Sequence, residues 1–491
     1  MFKKMNLLLK IYISILLLFL SIVFLSFFLW LDRYFGIVDF EQLIFFFVIG
    51  IEGLWDSDDY VVNKFFQICI FLPLAITITI YFILVFIKKI NNNLIQNFYY
   101  WVIKKQLLIC LILFLVSITL LSKKLSFNEF LYSRTQKLDF IDQYYTDPNK
   151  INLKVDNKKN FVLIYVESLE ENFSNKEIFG ENLIELISPK NLNGKSFKSF
   201  KETRYTNWTI ASIVATQCGI PLKPMSIFST KKKGRHQKHV FGLKHFLPNI
   251  KCLGDILKED NYKNIFINAV DLNFVGTGLF FKNHGYEEVY GKEEFKKKYH
   301  NFNGKTWGGG PHDSFLFQFA KKKVKELINK NELFNLTILT TDTHAPNGFL
   351  EESCKKTNNT LNDAVKCTSK NINQFIKFLN EELANEVNIL ILGDHLFPGN
   401  LELREKFKNY PRNIYNLFIS QKNLEAKRKM ITHFDFFPTI LNLMGYEFNE
   451  NKLGLGYSGV KEINQNFYNA YIKKLNENIQ NKSKKYISFW R

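Results

Sequence analysis

Apolar residues are concentrated in blocks near the start of the chain and are distributed in short runs beyond it. Residues 11–31 are a nearly unbroken apolar run, residues 66–87 a second and residues 106–122 a third. All fall within, or at the short end of, the roughly 17–25 residues that cross a bilayer as a helix. Three transmembrane helices are expected. The first ends in Phe28-Leu29-Trp30-Leu31-Asp32, with no small-residue cleavage pattern, so it reads as a retained anchor rather than a removed signal peptide.

Charge fixes an orientation. Lys3, Lys4 and Lys10 precede the first run, while Lys88, Lys89, Lys104 and Lys105 lie between the second and third, which assigns those segments to the cytoplasmic side. The first connecting loop carries Asp32, Asp39, Glu41, Glu52, Asp56, Asp58 and Asp59 against Arg33 and is expected outside. Within it, residues 43–55 are apolar but short and bracketed by Glu41 and Glu52. They are expected to form a helix lying on the outer membrane surface. With three spans everything after Ser122 is extracytoplasmic; a fourth span at 43–55 would reverse that.

Beyond the apolar blocks the pattern changes twice. Residues 123–159 are polar and weakly periodic, as in a juxtamembrane linker with one amphipathic helix. From residue 160 strand-like runs appear at 160–168, 264–268, 335–341, 388–392 and 416–420, alternating with helical stretches at 313–327, 371–383 and 436–443. Such alternation predicts an α-helical membrane region followed by an α/β/α sandwich around a mostly parallel sheet, with functional residues at strand ends. The catalytic part is expected over 160–460, and 461–491 as a basic helix or tail.

One stretch interrupts the pattern with a hydroxyl where a helix should begin. Residues 207–222 read NWTIASIVATQCGIPL, a short buried helix stopped by Cys218-Gly219-Ile220-Pro221, with Thr209 at its start. Unpaired N–H groups and the helix dipole favour an anion there, which suits a Thr alkoxide and a phosphate under attack. The plain alternative is a capping Thr.

Composition and charge narrow the function classes. The 491 residues include 50 Phe and are 46% hydrophobic, enough for a membrane part and one large globular domain. A net charge of +19 raises nucleic acid as a partner, but the topology argues against it, and Lys-rich composition runs through the whole chain. Lys231, Lys232, Lys233, Arg235, Lys238 and Lys244 form the densest cluster, suited to a solvated loop or to anionic headgroups. His236, His239 and His245 within it have no carboxylate or strand end beside them and read as loop residues. Cys69 and Cys110 fall in expected spans. Cys218, Cys252, Cys354 and Cys367 allow three pairings; Cys218 with Cys252 and Cys354 with Cys367 is the pairing expected in an oxidising compartment.

The candidate chemistry sits at strand ends. YVESLEEN delivers Glu167 from the first strand, and ILILGDHLF delivers Asp394 and His395 from a late one. With the Thr209 hydroxyl these offer mixed O and N ligation for one divalent ion. Each alone has an ordinary structural explanation; the order of an acidic strand end, a Thr at a helix start and GDH at a late strand end is what makes the set specific.

That order resembles the sulfatase-like branch of the alkaline phosphatase superfamily, in particular the membrane-anchored phosphoglycerol transferases that include lipoteichoic acid synthases and the enzymes decorating periplasmic glucans. YVESLE, NWTIASIVATQCGIPL, CLGDILKEDNYKN, FVGTGLFFKNHGYEEVYG, TTDTHAPNGF, GDH and LGLGYS carry the resemblance, over residues 161–458. It implies Glu167, Thr209, Asp394 and His395 as ligands of one divalent metal ion (Mn, Mg or Zn), Thr209 also as nucleophile, and His344 as an active-site histidine contacting the transferred group. Trp307 and Asp313 match a WG...D signature, either architectural or substrate-contacting. It further implies a phospholipid donor such as phosphatidylglycerol, a glycan or lipid acceptor, and a multi-pass protein of a bacterial inner membrane. Two departures bear on specificity. The His, Trp and Arg that lipoteichoic acid synthases use for glycerophosphate are not found in residues 269–281 (AVDLNFVGTGLFF), and Gly276-Thr277-Gly278 stands where the glucan-modifying group has GKG. Alternatives within reach of the same residues are a phosphoethanolamine transferase, a sulfatase, for which no C/S-x-P-x-R motif is present, and an inactive envelope protein.

Overall fold

The computed structural model describes residues 2–49, 58–223, 244–299, 304, 306–383, 386–399, 401–420 and 424–491. Residues 50–55 of the first loop and most of the 231–244 basic cluster lie outside these. Two compact units emerge: Met1–Phe40 with Asp58–Leu131, and Glu41–Ser57 with Tyr132–Arg491.

Four helices head the chain: α1 (Phe2–Phe35), α2 (Phe40–Ile49), α3 (Asp59–Ile87, with a π-helical stretch at Phe66–Phe71) and α4 (Asn93–Lys124). Within them Leu9–Phe35, Asp59–Ile87 and Asn93–Lys124 are long and apolar enough to cross a membrane. They outrun the expected apolar blocks because helix formation continues into polar ends, as where Asn92 caps α4 by accepting from the Leu94 and Ile95 N–H groups. In the first unit Lys124 pairs with Asp32, and Phe24 packs on Phe114 with ring centroids 5.7 Å apart.

Helix α2 departs from expectation in one ring: Phe45 is fully buried in the second unit, 5.0 Å from Trp208 and 6.3 Å from Phe246. The segments that bracket the domain depart in the same way. Phe140 and Ile141, in the stretch expected as a linker, are core residues, and the backbone of Thr146 exchanges hydrogen bonds with Gly454. At the other end Tyr468, Leu475, Ile479 and Tyr486 are fully buried, so residues 465–489 are integral to the core rather than a basic tail.

The second unit is built on six strands: β1 (Asn160–Val166), β2 (Lys263–Asn268), β3 (Glu288–Tyr290), β4 (Phe334–Leu339), β5 (Val387–Gly393) and β6 (Asn416–Ile419). Their order is β3-β2-β4-β1-β5-β6, all pairs parallel except the edge pair β5/β6. Continuous apolar runs such as FVLIYV and VNILILG suit strands buried on both faces. Alternation along β1 divides the core, with Phe161, Leu163 and Tyr165 on one side and Val162, Ile164 and Val166 on the other. The first side is covered by α5 (Thr209–Cys218), and the second by α6 (Asp313–Asn329) and α7 (Thr360–Leu383); α8 (His433–Leu443) returns to the first. The result is a three-layer α/β/α sandwich around a mostly parallel sheet.

Both expected disulfides are present, Cys218–Cys252 and Cys354–Cys367, with Cα atoms 4.3 and 6.0 Å apart. The first ties the end of α5 to the chain leading into β2. Gly219 ends α5 at φ +67°, and a Cβ there would lie 3.1 Å from the Leu453 carbonyl oxygen, so both conformation and space call for glycine.

Candidate active site

The carboxyl ends of the central strands β1 and β5, with the loop after β4, converge on one place. In parallel sheets such ends form the crevice where ligands bind. Glu167 follows the last residue of β1 and Asp394 the last of β5. The β1–β5 register sets Val166 opposite Gly393, which brings the two carboxylates together. Gly393 itself is dictated by space, since a Cβ there would fall 1.9 Å from the Leu169 carbonyl oxygen.

Glu167, Asp394 and His395 are buried, and one ligand-type atom from each lies within 4.8 Å of the others. His395 Nε2 is 3.4 Å from both Glu167 Oε1 and Asp394 Oδ2, while its Nδ1 is 3.0 Å from the Leu396 carbonyl. That carbonyl can accept only if Nδ1 carries the hydrogen, which leaves Nε2 as the nitrogen that faces the carboxylates and, once it gives up its proton, as the one able to bind a cation. Asp394 Oδ1 accepts from the backbone N–H groups of Ser168 (2.7 Å) and His395 (2.9 Å). Its Oδ2 is buried without a hydrogen-bond partner. A buried carboxylate oxygen with no donor is costly unless something positive meets it.

Thr209 completes the group from the helix side. It is the first residue of α5 and not its cap: Trp208 occupies the cap position in extended conformation and its side chain caps nothing. The Thr209 hydroxyl turns outward instead and donates to Glu167 Oε2 at 3.3 Å. The side chain is half-buried, so it remains reachable where Glu167 and Asp394 are not. A hydroxyl, two carboxylates and an imidazole nitrogen therefore face one point beside an uncapped helix start, a donor set that fits a divalent cation of the Zn or Mn type.

The electrostatics agree with this fit. Burial, and then the nearby Glu167 charge, push the Asp394 carboxyl up to about 7. Burial would lower His395, but Asp394 and then Glu167 outweigh it and raise the imidazole to about 10. Glu167 goes the other way: burial would raise it, and the opposing effects of His344 and His395 bring it to about 2. Two carboxylates close together in a dry site resist joint ionisation, which a bound cation would relieve.

The loop after β4 braces this group. Thr343 donates to the Glu167 carbonyl at 2.5 Å, Thr340 Oγ1 accepts from the Glu167 N–H at 3.2 Å, and Ser168 donates to Glu167 Oε1 at 2.7 Å from a left-handed backbone (φ +54°). His344 is half-buried, with Nδ1 2.7 Å from the Ala345 carbonyl and its ring stacked on Trp307 at 4.9 Å and 27°. Trp307 thus forms the wall behind His344. Of the two roles expected for Asp313, the geometry matches the architectural one. It is fully buried at the start of α6, where Oδ1 accepts from the Thr341 N–H at 2.8 Å and Oδ2 from the Thr368 hydroxyl at 2.7 Å. With both oxygens occupied and the side chain buried, it holds the loop that carries His344. The supporting roles of Ser168, Thr343 and Glu202, which accepts from the Leu396 N–H at 3.0 Å, were not separable in the sequence from neighbouring polar residues.

Comparison with known proteins places this arrangement. The Sulfatase family model matches residues 159–446, which includes Glu167, Thr209, His344, Asp394 and His395. Phosphoglycerol transferase I of Escherichia coli O6:K15:H31 is 32% identical over 351 residues, and that of Shigella flexneri 33%, in each case over 68% of this chain and 43% of the relative. The chain thus spans less than half the length of these relatives. Among solved structures, a lipoteichoic acid synthase from Listeria monocytogenes is 15% identical, covering 63% of this chain and 79% of its own, with a TM-score of 0.49. Because the family model runs through every ligand-type residue of the cluster and over more than half of the chain, the protein belongs to the sulfatase family of the alkaline phosphatase superfamily.

Proposed function

We propose that the protein is a metal-dependent phosphoglycerol transferase that takes its group from phosphatidylglycerol and passes it to an extracytoplasmic glycan or lipid hydroxyl. The observation that carries this reading is Thr209, a reachable hydroxyl at an uncapped helix start that faces a buried carboxylate beside an unsatisfied Asp394 oxygen. The relatives named phosphoglycerol transferase I supply the headgroup. In this reading Glu167, Thr209, Asp394 and His395 hold one divalent ion, whose contribution when bound is to favour the ionised hydroxyl and offset charge on the phosphate oxygens.

The chain's own residues account for the rest. Thr209 Oγ1 attacks the donor phosphorus, forming a Thr–O–P bond and breaking the bond to diacylglycerol, which leaves as the alcohol after taking up a proton. N–H groups in the first turn of α5 face the phosphoryl oxygens. His344, backed by Trp307, orients the group or supplies the leaving-group proton. An acceptor hydroxyl then displaces Thr209, giving up its proton and restoring the enzyme. The three apolar helices keep the site at the surface where the donor resides, raising its effective concentration. Lysine placement supports an extracytoplasmic position for residues 123–491.

Incubation of the full chain with labelled phosphatidylglycerol and phosphatidylethanolamine in separate vesicles tests the reading. Diacylglycerol release from phosphatidylglycerol, lost on chelation, is the expected result. Release only from phosphatidylethanolamine would reassign the headgroup, and release from neither would remove the transferase reading.

A further inference from the structure

Helix α2 belongs by sequence to the loop between the first two apolar spans, yet its residues from Glu41 onward pack within the catalytic unit. Two aromatic paths lead from it to the site. Phe45, fully buried, meets Trp208 edge-on at 5.0 Å and 73°, and Trp208 immediately precedes Thr209 and sets where α5 begins. Phe46 lies 5.7 Å from Trp208 and 6.3 Å from Phe274; Phe274 meets Trp307 at 4.7 Å, and Trp307 stacks on His344. The start of the helix is pinned as well, since Glu41 is 2% exposed and accepts from Arg134 at 2.9 Å. A helix serving only as a surface tether would need neither a buried ring nor a buried carboxylate.

We propose that α2 is a positioning element of the transfer site, in which Phe45 and Phe46 hold Trp208 and Phe274 and through them fix Thr209 and His344. This rests on the transferase reading above. Ring-to-ring contact fixes orientation as well as distance, and an error of about 1 Å in a reacting group can cost on the order of 100-fold in rate. A loop from the membrane-embedded part would then complete the geometry of a site whose chemical residues all lie more than a hundred positions later in the chain.

The test uses the full chain with Phe46→Ala, whose ring is only partly buried, together with Phe45→Ala and Phe45→Leu, which loses less volume than alanine. Donors are dihexanoyl phosphatidylglycerol and dihexanoyl phosphatidylethanolamine, presented as soluble monomers, and long-chain lipid in vesicles. Rates are read on whichever headgroup the unaltered chain uses. The expected result is a fall in kcat of roughly 10- to 100-fold for the alanine variants on soluble and vesicle donors alike, with KM nearly unchanged, an unaltered melting temperature for Phe46→Ala, and partial recovery in Phe45→Leu. A fall confined to vesicle donor would make α2 a membrane tether and overturn the proposal, as would full kcat in both alanine variants. Placement is read independently of turnover with Phe46→Cys/Phe274→Cys and a short bis-maleimide. A cross-linked peptide containing both positions supports it, and its absence with both thiols labelled overturns it. If the unaltered chain uses neither headgroup, the transferase reading fails and this role falls with it, even where the cross-link forms.

Discussion

Asp313→Ala offers a prediction whose size follows from the structure. The Asp313 carboxylate holds the loop of His344 through two short bonds, from the Thr341 N–H at 2.8 Å and the Thr368 hydroxyl at 2.7 Å, with a longer one from the Asp342 N–H at 3.3 Å. Each buried donor left without an acceptor costs about 1–3 kcal/mol. Two such losses put the variant about 2–6 kcal/mol below the parent. Asp313→Asn differs, because its amide oxygen still accepts from Thr341 and its NH2 can donate to Thr368 Oγ1, so its cost should stay under about 1 kcal/mol. Domains of 150–250 residues lose about 2–4 °C per kcal/mol, and the lower end suits this larger unit, giving Asp313→Ala a drop of roughly 4–12 °C. Burial, and then the Asp342 charge, raise the Asp313 carboxyl from 3.8 to about 8. Across that interval the folded chain keeps a proton that the unfolded chain releases, so this group's contribution declines as pH rises from 3.8 toward 8 and Asp313→Asn should flatten the decline. Differential scanning fluorimetry of the oxidised full chain, at one scan rate and several pH values, reads all three. Equal losses in the Ala and Asn variants, or a parental melting temperature for Ala, would refute the assignment of Asp313 to loop support.

Asp394→Asn should weaken divalent-ion binding by more than the roughly 10–100-fold that follows loss of an outer partner, measured by titration calorimetry, with turnover partly restored by excess ion. Cys218→Ser/Cys252→Ser opens a cross-link of sequence separation 34 and should cost about 3–4 kcal/mol by the loop-entropy relation, read as a lower melting temperature that added reductant does not lower further. A reporter joined by a flexible linker after Arg491 should be active only if it folds outside the cytoplasm; activity of a cytoplasm-dependent reporter alone would reverse the proposed topology.

The candidate site was legible because each member of the cluster sits at an element boundary with a local signature. Glu167 ends an apolar run, Asp394 and His395 follow another after a glycine, and Thr209 opens a small-residue helix; the parallel β1–β5 pairing then joins Glu167 to Asp394. Five of the six strands of the sheet were marked by buried apolar runs in the same way. The short strand β3 was not, since EVY is three residues between helices with no alternation to display. Parts that depend on long-range packing were opaque. The rings of Phe45, Phe140 and Tyr468 read as membrane-surface, linker and tail residues because nothing nearby in sequence discloses Trp208, Tyr471 and Asp435 as their partners. Asp313 shows the same limit at the site, where its motif indicated proximity but only its hydrogen bonds distinguish a loop anchor from a substrate contact.

The claim that Thr209 is the attacking group is tested most directly by single-turnover release of diacylglycerol from labelled phosphatidylglycerol by the parent, Thr209→Ala and Thr209→Ser chains, each saturated with divalent ion. Ion saturation separates loss of the nucleophile from loss of a ligand. The account predicts no release above background by Thr209→Ala at any ion concentration, with its melting temperature lowered only by the small cost of altering one helix-start residue. It also predicts measurable release by Thr209→Ser, and a glycerophosphoryl mass increment on the parent peptide containing Thr209 when acceptor is withheld. Release by Thr209→Ala at a rate near that of the parent would contradict it, leaving Thr209 as an ordinary residue at the start of a structural helix.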